Sequence, residues 1–294
     1  MKRRHWLAAG CAQCAALGTA SWWPGLASAQ PEPAIDWQAP ARFTRPDVAS
    51  DEGGLWALMD REEARLRRSP FLMRDPALRD YLQGMACRLG ADHCPDLRIY
   101  PVRTPHFNAS MAPNGMMQVW SGLLLRVENE AQLAAVLGHE IGHYLQRHQL
   151  GQLRDAKSRS AFGTFMAAFG AVGLVGQLAA IAGMFSFSRE QEREADRIGL
   201  VLMARAGYDP REASKVWANL LAEVAATPGS DPTKTNPLFA SHPPSEERRA
   251  ELARRAAVDQ GEGHLVGSDG HAVGGRDAQM RRVEIGDADR ADGR

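Results

Sequence analysis

The sequence carries no excess of charge of either sign: 35 Lys and Arg stand against 35 Asp and Glu in 294 residues. That balance excludes the basic footprint of a nucleic-acid-binding chain. No segment repeats at a period of about 20 to 50 residues, which excludes stacked-repeat architectures. Cysteine is scarce. Of the four present, Cys11 and Cys14 fall within the first thirty residues, leaving Cys87 and Cys94 for the body of the chain. Apolar periodicity is missing from two stretches. Residues 30–53, rich in Pro, Ala and Asp, read as an extended leader. Residues 257–294, made largely of Gly, Asp and Arg, read as a disordered polar tail. The apolar share of the whole chain is 44%, enough for a globular core. Residues 54–256 are therefore taken as one domain.

What is present begins with an export signal. Lys2, Arg3 and Arg4 precede a moderately apolar stretch from Trp6 to Leu26, and Ala27-Ser28-Ala29 supplies a small-x-small cleavage pattern. Residues 1–29 read as a cleaved secretory signal, which places the mature protein in the periplasm. The Arg3-Arg4-His5-Trp6-Leu7 run fits a twin-arginine route; Sec export fits as well. Cleavage removes three cations, so 32 face 35 anions and the net charge becomes −3. Cys87 and Cys94 lie seven positions apart, and in an exported chain such a pair reads as a disulfide.

Apolar spacing predicts helices over Leu55–Arg68 and Pro76–Leu89. Arg98–Val102 and Met116–Trp120 read as strands of one small sheet, with Pro113-Asn114-Gly115 in the turn between them. Asn129 opens a helix expected to reach Gln149, with Gln132 as its capping-box partner. Further helices are expected over Arg189–Ala206, from Asp209-Pro210 to Val224, and over Ser245–Ala256. A Pro-rich loop, 228–244, precedes the last of these. The class is α+β, mostly helical.

His139-Glu140-Ile141-Gly142-His143 is an HExxH motif. Positions i and i+4 of a helix share a face, about 6 Å apart along the axis, so both imidazoles can reach one ion. A catalytic zinc takes three protein ligands and keeps a position for water. Glu140 stands where a carboxylate could take the proton from that water and return it to the leaving amine. Downstream, Glu190, Glu192 and Glu194 compete for the place of third ligand. Such a charged run is usually a solvated helix face. Yet Glu192 and Asp196 also stand at i and i+4, so one could bind metal while the other receives a ring N–H from a ligand histidine.

The chain resembles the HtpX/BepA/CAAX prenyl protease-type family of zinc metallopeptidases over residues 50 to 255. The resemblance rests on residues 129–138 running into HExxH, on Glu192-x-x-x-Asp196 followed by Gly199, on Ala206-Gly207-Tyr208-Asp209-Pro210, and on Ser241-His242-Pro243. It implies a zincin-like fold with an active-site helix, a small sheet and a second helix bearing the glutamate. It also implies one zinc per chain, His139, His143 and Glu192 as ligands, Glu140 as base, Asp196 supporting a ligand, and His242 approaching the metal. The form resembled is the stand-alone periplasmic one, without the C-terminal helical repeats of the BepA branch. His242 stays open between a latch on the zinc, an oxyanion donor, and a surface residue capping the next helix.

The implied activity is an endopeptidase for misfolded or unassembled envelope proteins. The alternative is a metal-stabilised chaperone or assembly factor with little turnover. In zincins an extended substrate adds to a sheet edge, and Met116–Trp120 is the candidate edge strand, with an ordinary core strand as the alternative reading. Ala161–Phe187 is uncharged for 27 residues. Since His143 and Glu192 flank it and must meet, a broken hairpin, buried or touching a membrane surface, is expected rather than a single span. The oligomeric state is not legible.

Overall fold

The computed structural model describes residues 44–158, 187–226 and 245–261, with positions 35, 238, 241 and 242. The chain divides into two compact units, Met1–Asp36 and Trp37–Arg294, and every helix and strand named here belongs to the second. The export signal, the leader up to 43 apart from position 35, residues 161–186 of the uncharged run, most of the Pro-rich loop and the tail from 262 lie outside the described residues.

Helix α1 (Asp51–Leu66) starts four residues before the expected Leu55, because Ser50 caps it. The Ser50 hydroxyl accepts the Gly53 N–H, and Asp51 and Glu52 fill the first turn. Asp75 caps α2 (Pro76–Gly90), accepting from Ala77 and Leu78, with proline in the first turn where its missing N–H costs nothing. A short 3-10 segment, Ala91–Asp96, leads into β1 (Arg98–Val102). Cys87 and Cys94 form a disulfide that ties the end of α2 to this segment.

Strands β2 (Ala109–Met111) and β3 (Met116–Trp120) complete the sheet, in the order β1-β3-β2. β3 runs parallel to β1, with Arg98 opposite Met116, and antiparallel to β2, with Ser110 opposite Gln118. Of the two readings of Met116–Trp120, the edge strand is therefore wrong and the core strand is right. All five of its residues are buried, so both faces of this strand are covered as well as both edges. The outer strands are β1 and β2, and β2 was not foreseen because three residues carry no readable alternation. Gly115, at φ 87°, makes the β2–β3 turn; a Cβ there would meet the Asp96 carbonyl oxygen at 2.1 Å.

After α3 (Ser121–Leu124), the long α4 (Glu130–Leu145) is buried on nearly every side. The Asn129 side chain accepts the Gln132 N–H, as expected, but the Gln132 amide oxygen reaches Glu128 N–H rather than Asn129 N–H. The helix stops at Leu145, short of the expected Gln149. Arg147 takes the left-handed conformation, φ 53°, and a new helix α5 (His148–Ser158) sets off in another direction. Helices α6 (Arg189–Arg205), α7 (Glu212–Ala225) and α8 (Glu246–Gly261) follow. Among the described residues no helix is long and apolar enough to cross a membrane.

Two glycines set the spacing of α4 against α6. A Cβ on Gly142 would lie 2.9 Å from the Ala195 carbonyl oxygen, and one on Gly199 would lie 3.0 Å from His139 N. Backbones this close bring the HExxH face directly onto Glu192 and Asp196.

Beside the sheet, Glu63 of α1 accepts from Arg98 Nε at 2.8 Å, Arg67 Nη2 at 2.8 Å, the Tyr100 hydroxyl at 2.6 Å and Asn114 Nδ2 at 3.1 Å. Burial alone would raise its pKa; the bonds from Arg98, Tyr100 and Arg67 outweigh it and pull it down to about 2. Because the folded pKa is depressed, this stabilisation is complete above the unfolded value of about 4.3 and is lost as pH falls from there toward 2. Acid unfolding of wild type should thus lose about 1–2 kcal/mol in that window, after allowing for solvent screening of the partly exposed arginines. Glu63→Gln should lack that step.

Candidate metal centre

Helix α4 projects His139 and His143 from one face, with their Nε2 atoms 3.1 Å apart. Helix α6 brings Glu192 against both: Oε1 lies 3.3 Å from His143 Nε2 and Oε2 lies 3.5 Å from His139 Nε2. The fourth member comes from the chain before α8. His242 Nδ1 lies 2.8 Å from Glu192 Oε1 and 3.2 Å from His139 Nε2. All four residues are buried, and their donor atoms lie within 4.8 Å of one another. The reading of His242 as a surface residue is thereby corrected: it is 3% exposed. Its N–H donates to the Leu238 carbonyl at 2.7 Å, and Phe187 N–H donates to the Ser241 carbonyl at 3.3 Å.

These residues fit a metal ion. Bonds of about 2.1 Å to a tetrahedral ion place ligand atoms roughly 3.4 Å apart, close to the separations found. Three imidazoles and a carboxylate form the donor chemistry of zinc and related divalent ions. One more buried oxygen faces the group. Glu140 Oε2 accepts the Met111 N–H at 3.2 Å, while Oε1 is buried without a hydrogen-bond partner, 3.5 Å from His242 Nε2. β2 therefore clamps one carboxylate oxygen and leaves the other directed at the histidines.

Burial sets the protonation of several groups. It pushes the His143 imidazole well below its ordinary range, so the ring is neutral and able to bind a metal. Burial raises the Glu140 carboxyl above the usual carboxylate range, against the pull of His242 and His139. That is the direction a base working near neutrality needs. For Glu192, burial opposes ionisation, yet His242, Arg248 and His139 outweigh it and keep the carboxylate charged.

Asp196 Oδ1 lies 2.9 Å from His139 Nδ1, so it receives that ring N–H and leaves Nε2 for the metal side. The same aspartate is gripped by Arg248, whose Nε and Nη2 each lie 2.6 Å from a carboxylate oxygen. Arg248 Nη1 also stands 2.5 Å from Glu192 Oε2, out of hydrogen-bonding alignment. Its guanidinium lies over Trp217, 4.1 Å from the ring centre. Sequence reasoning missed Arg248. It sits in Glu246-Glu247-Arg248-Arg249, a run that reads as solvated helix. His148 was missed too, as was Phe187, which stacks on His143 with ring centres 3.8 Å apart. Of the three competing glutamates, Glu190 is exposed and Glu194 pairs with His148 and Gln146 instead.

Residues 73–256 match the model of peptidase family M48. The chain belongs to peptidase family M48. Among its M48 relatives is the beta-barrel assembly-enhancing protease of Escherichia coli K12, 30% identical over 236 residues, 72% of this chain and 47% of the relative. The protein of the same name from Yersinia pestis is 30% identical over 241 residues, 74% of this chain and 48% of the relative. The mitochondrial metalloendopeptidase OMA1 of Arabidopsis thaliana is 34% identical over 157 residues, 53% and 31% of the two chains. The chain thus spans about half the length of the bacterial relatives it matches. The family is the one the motifs around HExxH pointed to. M48 peptidases depend on a metal, and the buried His/Glu group is where this chain could hold one.

Proposed function

We propose that this protein is a zinc-dependent endopeptidase of the bacterial cell envelope, exported by cleavage after Ala29, that hydrolyses peptide bonds in misfolded or unassembled envelope proteins. The observation that carries this reading is Glu140. A buried carboxylate with one oxygen fixed by Met111 and the other facing a metal-binding quartet has the geometry of a general base. The substrate class draws on the relatives' names, which describe proteases that enhance assembly of β-barrels.

His139, His143 and Glu192 would hold the zinc. When bound, zinc lowers the pKa of a water to about 7 and polarises the scissile carbonyl. Glu140 Oε1 takes the proton and passes it to the leaving amine. Asp196 keeps His139 in the tautomer that leaves Nε2 free of a proton. An extended substrate would pair with β2. Trp120 N–H bonds Asn108 O and Ala112 N–H bonds Met116 O, so even-numbered positions face β3 and Ala109 and Met111 face outward. The Met111 groups are engaged by Glu140 and by the Gln149 amide, 2.9 Å from its carbonyl oxygen. Substrate pairing must displace Gln149 from the Met111 carbonyl, while the Met111 N–H stays with Glu140.

His242 stands among the other three donors and 3.5 Å from Glu140 Oε1, which supports reading it as a latch that substrate must displace. His242→Ala should raise casein hydrolysis several-fold if it is a latch. A fall in turnover would instead assign it to the oxyanion. The four-donor arrangement also favours the second reading, a metal-stabilised assembly factor with little turnover, since closed sites are structural. A casein assay on wild type and His242→Ala decides: no hydrolysis by either sinks the peptidase reading.

A further inference from the structure

We propose that His148 is a positioning residue for the metal ligand His143, and that Glu194 holds His148 in place. The inference rests on His143 being a ligand. His143 Nε2 faces the quartet, 3.1 Å from His139 Nε2 and 3.3 Å from Glu192 Oε1. A neutral imidazole that binds metal through Nε2 carries its proton on Nδ1. That Nδ1 lies 2.8 Å from His148 Nδ1. His148 must then accept, which puts its own proton on Nε2. His148 Nε2 in turn lies 3.3 Å from Glu194 Oε2, and Glu194 Oε1 accepts from Gln146 Nε2 at 2.6 Å. One assignment of protons satisfies every ring nitrogen in the chain from Glu194 to the metal face of His143.

The backbone is bent to make this contact. Five residues along an unbroken helix, a side chain sits roughly 140° around the axis, so His148 would point away from His143. The break after Leu145 changes that. Arg147 is left-handed, φ 53°, a conformation costing a non-glycine residue roughly 1–2 kcal/mol. Its side chain is held by an ion pair with Glu52 of α1. The turn swings His148 back, where it is buried against His143 and beside Phe187. The two ligand histidines thus have different acceptors: a carboxylate, Asp196, for His139, and an imidazole backed by a carboxylate for His143.

The test is zinc affinity of the full mature chain by competition with a chromophoric chelator, together with the visible spectrum of the cobalt-substituted protein. His148→Phe keeps a buried ring and removes the acceptor; it should weaken zinc binding about 10–100-fold and alter the cobalt spectrum. His148→Asn restores an acceptor near the Nδ1 position and should recover part of the loss, a recovery that a purely space-filling role would not produce. Glu194→Ala alters a side chain at the protein surface and should weaken binding in the same direction by less. Wild-type affinity and spectrum in His148→Phe overturn the inference, as does an Asn variant no better than Phe. If His148→Phe does not fold, Glu194→Ala with unchanged affinity overturns it. His143→Ala separates the two levels. If His143→Ala keeps wild-type zinc affinity, the ligand assignment fails and the inference with it. If His143→Ala loses zinc while His148→Phe does not, only the inference fails.

Discussion

Glu140→Gln should abolish casein hydrolysis, by about 10²–10⁴-fold, while the purified protein keeps its metal and its fold. The substitution is nearly isosteric. The amide oxygen of the introduced glutamine can still accept the Met111 N–H that fixes Oε2 at 3.2 Å in the wild type. What disappears is the basicity of Oε1, the buried oxygen that faces His242 and the other histidines. Burial costs a neutral amide less than a carboxylate, so the variant should be at least as stable as wild type. Undiminished turnover with full metal would remove Glu140 from the mechanism.

Arg248→Ala should destabilise the metal-free protein by about 3–5 kcal/mol, the cost of leaving buried charges without their partner. Arg248 closes on Asp196 through two 2.6 Å contacts and stands against Glu192, with all three residues buried. Its loss leaves two carboxylates facing each other across His139. Zinc should return part of the stability, because a cation on Glu192 replaces some of the missing charge; Asp196 remains without the guanidinium. Urea unfolding with and without zinc measures both. A metal-free Arg248→Ala protein as stable as wild type would show that the guanidinium is not the counter-charge it is taken to be.

The parts of the site legible in the sequence are those whose geometry is local. His139 and His143 share a face because a helix puts them there, and Glu192 and Asp196 do so for the same reason on α6. The Asn129 cap and the disulfide between Cys87 and Cys94 are short-range as well. The parts that stayed hidden depend on distant chain segments. Met116–Trp120 is central rather than an edge because β1 and β2 lie on either side, and only pairing between segments reveals that. His148 looked remote from His143 because nothing in Gln146-Arg147 announces a left-handed residue; arginine is a poor candidate for that region. Arg248 sits in a charged run that would be solvated on an isolated helix, and it is buried only because Asp196, Glu192 and Trp217 surround it. His242 is placed by a Pro-rich segment whose path no periodicity describes.

The most direct test of the centre is zinc content by mass spectrometry on the purified mature chain, on Glu140→Gln and on alanine variants of the three competing glutamates. A catalytic zinc on His139, His143 and Glu192 predicts about one zinc per chain in wild type, Glu190→Ala and Glu140→Gln, a near-stoichiometric but weaker-binding Glu194→Ala, and no zinc in Glu192→Ala. Full zinc occupancy in Glu192→Ala, with zinc lost from Glu190→Ala or Glu194→Ala instead, would contradict it.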